Sequence, residues 1–420
     1  MNFAELLKDT PCACGKTHSC AIKHVSVGSG ILEEIPSVIA PFSRVLLVAD
    51  KNTYRVCGAS VKEKIEEKSP GKIENSLIYT DDLVIPNEDA IAKMQAFLTP
   101  ETDLILGVGS GVIQDLCKYV SFFASIPYGI VATAPSMDGY ASVGAAMITQ
   151  NMKVTYSAHV PYAIFGDVDV LRDAPMEMIQ AGYGDILGKF SCLNDWKLSH
   201  VVNDEFFCTS IYDFTYEMLM KTKDIGPALL HRETDAIQTL TEALIGVGIA
   251  MAYSGNSRPA SGSEHTLSHF FEIVGILRDE PYFPHGTDVA FSMIYTQRMR
   301  EELLKMEKPT AKPFVREAWE SDIRRIYGRA AEGVIALQDK TGHYEKDYAS
   351  IYVEKWEEIR NVLREVPSSE VLLEYLRSVG LNIDDCERLY GTEKLKEAFF
   401  YAKDLKDRYT VLWMYYWLAR

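Results

Sequence analysis

Short apolar runs alternate with amphipathic segments along the first 170 residues. Arg44 to Asp50, RVLLVAD, is an unbroken apolar run between charges, the pattern of a strand buried on both faces. Thr53 to Lys68 sets Val56, Val61 and Ile65 on a charged background and predicts a surface helix. Asn75 to Tyr79 predicts the next strand, and Asn87 is placed to cap a helix through Leu98. Asp103 to Leu106 predicts a strand that ends in a glycine turn. Val112 to Ala124 predicts a packed helix, and Tyr128 to Ala132 another strand. This βαβαβαβ order predicts a parallel sheet with helices on both faces, an α/β domain over residues 1–170.

The pattern changes between Asp169 and Pro175, beyond which strand signals nearly disappear. The clearest helices are Met176 to Val201, Asp204 to Lys221, Glu233 to Tyr253, Glu264 to Leu277 and Gly286 to Leu304. Thr310 to Leu337, Ile351 to Arg364 and Ser368 to Val379 follow, so residues 171–420 read as an all-helical domain.

The 420 residues suit two or three domains, and 47% apolar content supplies their cores. A formal charge of −16, from 59 acidic and 43 basic residues, repels phosphate backbones and argues against nucleic-acid or anionic-membrane partners. No stretch reaches about 18 uncharged apolar residues and the N-terminal residues hold no apolar core, so no membrane span and a cytoplasmic location are expected. Five of the eight cysteines, Cys57, Cys117, Cys192, Cys208 and Cys386, are scattered singly in apolar surroundings, as buried thiols are. Cys12, Cys14, His18 and Cys20 instead cluster in nine residues. That set could ligate zinc, or it is a terminal segment with adventitious metal affinity, since it lacks paired Cys-x-x-Cys spacing.

Two loops stand at the ends of predicted strands. Gly107-Val108-Gly109-Ser110-Gly111 opens a helix carrying Asp115 and Lys118, and glycines there let backbone approach a pyrophosphate. The spacing is not that of the usual dinucleotide fingerprint, and it follows the third strand. Asp50 ends the first strand, where a carboxylate either binds ribose hydroxyls or caps a helix. Thr133 to Ser142, TAPSMDGYAS, follows the adjacent strand, so two polar loops leave one sheet edge together.

Three of the nine histidines fall within 21 residues. His265 and His269 share a helix face by i, i+4 spacing, and His285 heads the next helix. Two imidazoles and a carboxylate make a divalent-metal site with open positions. Spacing alone does not choose the carboxylate, although Asp185 stands out on an otherwise apolar helix. The alternative is that these side chains only satisfy interior hydrogen bonds.

Taken together, the segments GVGSGVIQDLCKYVS, TAPSMDGYAS, GYGDILGKF, SRPASGSEHTLSHFFE and PHGTDVAF resemble the sn-glycerol-1-phosphate dehydrogenases in order and spacing. The similarity is greatest to their bacterial branch, within the group that includes iron-dependent alcohol dehydrogenases and dehydroquinate synthase. It runs from about residue 10 to Arg408-Tyr409-Thr410-Val411-Leu412. The resemblance implies a dinucleotide-binding α/β domain followed by a helical metal- and substrate-binding domain. It implies reversible reduction of dihydroxyacetone phosphate to sn-glycerol 1-phosphate with NAD or NADP. One divalent metal is implied, zinc by default, with nickel or iron fitting the same ligands.

By the same resemblance, Asp185, His265 and His285 ligate the metal. Gly109, Ser110, Gly111 and Asp115 hold the dinucleotide phosphates and their surroundings, and Asp50 meets the adenosine side. Thr133, Ser136 and Ser142 line the nicotinamide end. Asp138 faces the substrate hydroxyls, and His269 orients substrate or relays a proton. Arg258 is implied as a phosphate ligand, with a structural ion pair as the other reading. Lys153 is a second basic candidate, or a solvated loop lysine.

The loop departs from the family's GSGTINDxTK pattern, because Val112 and Gln114 stand where threonine and asparagine are usual, and Cys117 replaces a threonine. Valine brings no hydroxyl to a phosphate. The rival readings are another metal-dependent polyol or polyol-phosphate dehydrogenase, a dehydroquinate-synthase-like lyase, and a metal- or nucleotide-binding regulator without turnover. A homodimer is the general expectation for such an enzyme.

Overall fold

The structure, a computed structural model, describes residues 1–149 and 152–419. Its contacts divide it into two compact units. The first holds residues 1–183 and 227–256, and the second holds 184–226 and 257–420. The expected division at residue 170 is therefore replaced by a chain that leaves the first unit at Tyr183, returns at Pro227 and leaves again after Asn256.

The first unit is built on a parallel sheet. Its strands are β1 (His24–Gly28), β2 (Val45–Asp50), β3 (Ile73–Tyr79), β4 (Leu104–Gly109) and β5 (Tyr128–Ala132). An antiparallel hairpin of β6 (Gly144–Thr149) and β7 (Met152–Ser157) follows, and β8 (Ala163–Asp167) completes the sheet. The spatial order is β1-β8-β5-β4-β2-β3, with every pairing parallel. Alternate residues of β2 and β4 enter two separate cores. Val45, Leu47, Leu104 and Leu106 pack with Val61 and Ile65 of α1 (Ala59–Lys68). Leu46, Val48 and Ile105 pack with Ala90, Ile91 and Met94 of α2 (Glu88–Gln95) and with Leu116 and Val120 of α3 (Gly111–Ala124). Both faces are thus covered, as the continuous apolar strands require.

The α/β expectation holds, with details added. Asn87 does cap α2, its side chain accepting from the amide of Ala90 at 3.1 Å. β4 runs on through the glycines to Gly109 instead of turning after Leu106. β1, β8 and the β6–β7 hairpin were not anticipated. β1 is a half-buried edge strand with serine and histidine in it, so it has no apolar run to read.

After α4 (Met176–Leu187), the second unit is helical throughout its described residues. The single helix expected over Met176 to Val201 is two, because Gly188 separates α4 from α5 (Lys189–Asn203). The helix expected from Asp204 begins later, as α6 (Thr209–Thr222). The helix expected over Thr310 to Leu337 is also two, Arg316–Tyr327 and Ala331–Thr341, parted at Gly328 with φ of 50°. α7 (Thr234–Ser254) belongs with the sheet unit, not with the helical one. By length and composition alone it is long and apolar enough to cross a membrane, but it carries Asp235 and Glu242 and so is not the uncharged stretch whose absence was expected. In the fold, 67% of its apolar window is buried inside the protein, the position of a core helix. The second unit continues with α8 (Ser263–Arg278) and α9 (His285–Leu304).

Candidate active site

Two groups of side chains form, one on each unit. On the first, β4 and β5 end in register, Gly109 beside Ala132, so the loops at Ser110 and Thr133 leave the same sheet edge. Ser110 precedes α3 and makes no side-chain capping bond, which leaves the first amides of the helix for an anion. Thr133 is tied to this loop through its amide, which donates to the Gly109 carbonyl at 3.1 Å.

Lys118 fixes the second loop. It is fully buried and donates to the carbonyls of Gly139 (3.1 Å) and Gly144 (2.8 Å) and to Ser142 Oγ (3.2 Å), with Asp115 Oδ1 at 3.7 Å. Burial pushes its ammonium below the usual lysine range against the pull of Asp115 and Asp138. Gln114, one of the three departures, donates from Nε2 to Tyr128 Oη (3.0 Å) and the Tyr140 carbonyl (3.1 Å). Tyr140 Oη in turn donates to the Ala134 carbonyl at 2.8 Å. The buried Asp138 therefore starts a short turn, Asp138–Ala141, that is clamped at both ends. α7 packs on this turn through Gly248, where a Cβ would meet the Asp138 carbonyl at 2.9 Å.

On the second unit, α4 carries Asp185, α8 carries His265 and His269, and α9 begins with His285. α4 and α9 approach closely because residue 184 is glycine. A Cβ there would lie 2.4 Å from the Gly286 carbonyl oxygen and 2.7 Å from Ala290 Cβ. The start of α8 is held by a buried pair, Arg300 on Asp195 Oδ1 at 2.7 Å, while Asp195 Oδ2 accepts the Ser263 amide at 2.7 Å.

The three rings gather. His265 and His285 have centroids 5.1 Å apart, and His269 stacks on His285 at 5.4 Å. His265 Nε2 lies 3.4 Å from Asp185 Oδ1, and Nδ1 of the same ring lies 2.7 Å from Glu264 Oε1. Ser268 Oγ is 3.2 Å from His285 Nδ1. Lys189, buried beside Asp185, donates to Asp185 Oδ1 and to the Ala260 carbonyl, both at 2.9 Å.

Burial pushes the Asp185 carboxyl up, but Lys189, His265 and His285 outweigh it and hold the group below the usual carboxylate range. Burial also raises Glu264, whose bonds to His265 and the Gly262 amide bring it below its ordinary value. Burial and Lys189 push His265 down, yet Asp185 and Glu264 together raise it. The site thus sets two buried carboxylates against Lys189 and an imidazole whose proton a cation can replace.

The donor set fits a divalent ion. Oxygen and nitrogen ligands at about 2.0–2.2 Å in a tetrahedral arrangement stand about 3.4 Å apart. Asp185 Oδ1 and His265 Nε2 stand at that separation. A carboxylate outside His265 is the usual partner of a metal-bound imidazole, because it fixes the tautomer and the ring orientation.

The chain also matches known proteins. Residues 26–175 match the family model of iron-containing alcohol dehydrogenases. A glycerol-1-phosphate dehydrogenase of Halalkalibacterium halodurans is 33% identical over 302 residues, 70% of this chain and 75% of its own length. The chain belongs to the glycerol-1-phosphate dehydrogenase family. A member from Bacillus licheniformis is 29% identical over 96% of this chain and 90% of its own length. The fold is also that of sulfoacetaldehyde reductase from Bifidobacterium kashiwanohense, with a TM-score of 0.59 over 91% of this chain, 90% of that one and 12% identity.

Within the family frame, the structure brings Asp185, His265, His269 and His285 together on one unit. It gathers Gly109, Ser110, Gly111, Asp115, Thr133, Ser136 and Asp138 at the two loops of the other. Three assignments change. Arg258 takes the second of its two readings. It is buried, and its guanidinium donates to Glu205 Oε1 (2.6 Å), to Glu205 Oε2, to the Tyr409 carbonyl (3.0 Å) and to Ser199 Oγ (3.3 Å), which makes it the structural ion pair. Ser142 accepts from Lys118 and donates to the Gly139 carbonyl at 3.0 Å, so its hydroxyl ties the loop instead of facing a nicotinamide. Asp50 caps the turn after β2, its Oδ1 accepting from the amides of Asn52 (2.8 Å) and Thr53 (3.0 Å). The Lys153 side chain lies outside the described residues. Lys118, Lys189 and Glu264 were not chosen from sequence. Glu264 adjoins His265 in the chain, the one signal that marked it.

Proposed function

We propose that the protein catalyses the reversible, metal-dependent reduction of dihydroxyacetone phosphate to sn-glycerol 1-phosphate with NADH or NADPH. The observation that carries this reading is the buried Asp185–His265 pair at metal-ligand separation, backed by Glu264 and flanked by His285. Membership of the family supplies the substrate and the dinucleotide.

Asp185, His265 and His285 would hold the metal. Zinc suits two imidazoles and a carboxylate, and nickel and ferrous iron are the alternatives. Bound there, the metal supplies Lewis acidity at the substrate carbonyl, and the nicotinamide supplies or takes the hydride. Glu264 and Ser268 orient the two imidazoles. His269, stacked on His285, is placed to orient substrate or to move a proton. Gly109, Ser110 and Gly111 present backbone to the pyrophosphate, and Asp115 lies beside them. Thr133 and Ser136 border the nicotinamide, and Asp138 meets the substrate hydroxyls.

A second reading has one observation in its favour. Because Arg258 is committed to Glu205, it contributes no phosphate recognition, so an unphosphorylated polyol on the same machinery is the rival substrate. Turnover with dihydroxyacetone or glycerol exceeding that with their phosphates would select it. We further propose a homodimer, on the general prevalence of two-fold assemblies, and a cytoplasmic location, which suits eight free cysteines.

The test compares wild type with Asp185→Asn after chelation and metal reloading. The reading expects metal-dependent turnover in the wild type, and loss of both metal and turnover in the variant. Full turnover by Asp185→Asn would sink it.

A further inference from the structure

Far from these residues in the chain, the N-terminal cysteine segment folds into a small hairpin. Thr10–Pro11 pairs antiparallel with Thr17–His18, and the Cys12 amide donates to the Lys16 carbonyl at 2.9 Å. The Gly15 amide closes the turn on the Cys12 carbonyl at 3.0 Å, with Gly15 at φ of 85°. This brings the Sγ atoms of Cys12 and Cys14 and a nitrogen of His18 within 4.8 Å of one another. Neither cysteine is in a disulfide.

We propose that Cys12, Cys14 and His18 bind a structural zinc ion. Cys14 Sγ lies 3.5 Å from His18 Nε2. Zinc–sulfur and zinc–nitrogen bonds of about 2.3 and 2.0–2.1 Å at a tetrahedral angle hold their donor atoms about 3.6 Å apart. The other ring nitrogen is already committed, because His18 Nδ1 lies 3.1 Å from the Tyr253 carbonyl oxygen. A carbonyl accepts only, so Nδ1 carries the proton and Nε2 presents its lone pair toward the thiols. A backbone carbonyl in that place is the usual outer partner of a metal-bound histidine. The ring is buried and stacks on Tyr253 at 5.7 Å, so the nitrogen is fixed in direction. Two thiolates and an imidazole favour zinc over harder ions and leave one tetrahedral position for a fourth donor. Cys20, grouped with these residues by sequence, is buried elsewhere and is not part of the set. The ion would pin the hairpin to the C-terminal end of α7, where Tyr253 sits.

The test uses the full chain, stripped of metal and reloaded with cobalt(II) as a spectroscopic stand-in for zinc. A thiolate-to-cobalt charge-transfer band in the near ultraviolet is expected in the wild type. Asp185, His265 and His285 contain no sulfur, so they cannot give this band, and the result is independent of turnover. The band should survive in Asp185→Asn and Cys20→Ser and be lost in Cys12→Ser and Cys14→Ser. The latter variants should also hold one zinc per chain less than the wild type. An intensity matching two thiolates leaves the fourth position to a non-sulfur donor, and an intensity of three adds a further cysteine to the same site. Absence of the band from the wild type at saturating cobalt overturns the proposal without any variant. Its persistence in folded Cys12→Ser and Cys14→Ser overturns it as well.

Discussion

Glu264 Oε1 sits 2.7 Å from Nδ1 of His265, and this contact leaves Nε2 of the same ring facing Asp185 at 3.4 Å. The carboxylate selects the tautomer in which Nε2 is the free donor, so it acts through His265 and not on substrate. Glu264→Gln should weaken metal affinity by about 10–100-fold, the usual cost of removing such an outer partner. Competition with a chelator of known affinity measures it. Excess metal should restore most of the turnover; an unchanged affinity would remove Glu264 from this role.

Gly184 lets α4 meet α9, and with it Asp185 meets His285. A methyl group at 184 would collide with the Gly286 carbonyl and Ala290. Gly184→Ala should cost about 1–3 kcal/mol, the range for overpacking a close contact, with metal content falling in parallel. Thermal unfolding and metal analysis of one preparation report both effects.

Arg258 offers the opposite pattern. Its loss strands Glu205 beside Ser199, and breaking a buried pair costs about 3–5 kcal/mol. The Glu205 side chain retains 30% exposure, so the low end of that range applies. Arg258→Ala should lower the unfolding midpoint while leaving the KM for dihydroxyacetone phosphate within about twofold in the folded fraction. A large rise in KM with unchanged stability would return Arg258 to the substrate.

Lys118 tethers the loop that starts at Asp138. Lys118→Met keeps the length and removes the donor to Gly139, Ser142 and Gly144. Losing charge-assisted hydrogen bonds worth about 1.5–3 kcal/mol should loosen the loop and weaken dinucleotide binding by about tenfold or more. Fluorescence titration with NADH gives the Kd, and a metal content equal to wild type would show that the effect stays on its own unit.

The sheet was readable where burial is complete on both faces, as in Val45–Asp50 and Tyr128–Ala132, because nothing but apolar residues can occupy such strands. His24–Gly28 gave no such signal, being half-buried along its whole length. Helix breaks at Gly188 and Gly328 were invisible to periodicity, which runs on through a single glycine. Among the site residues, the spacing of His265 and His269 announced a shared helix face, whereas Asp185 stood out as a carboxylate on an apolar helix and was chosen as a ligand by the resemblance to a family motif. Lys118 was placed on the helix after the glycine loop, but its role could not be read, since its partners are backbone carbonyls and a hydroxyl assembled by the fold. The same blindness led to Arg258: a basic residue beside a serine-rich loop looks like an anion ligand until Glu205, 53 positions earlier, is found against it.

The most direct test supplies metal-free protein with zinc, nickel or ferrous iron, then follows NADH and NADPH oxidation with dihydroxyacetone phosphate and assigns the enantiomer formed. The account predicts turnover only after metal is restored, with sn-glycerol 1-phosphate as the product. A folded, metal-loaded protein that binds the dinucleotide yet oxidises none of it with this substrate would contradict the account, as would a product of the opposite configuration.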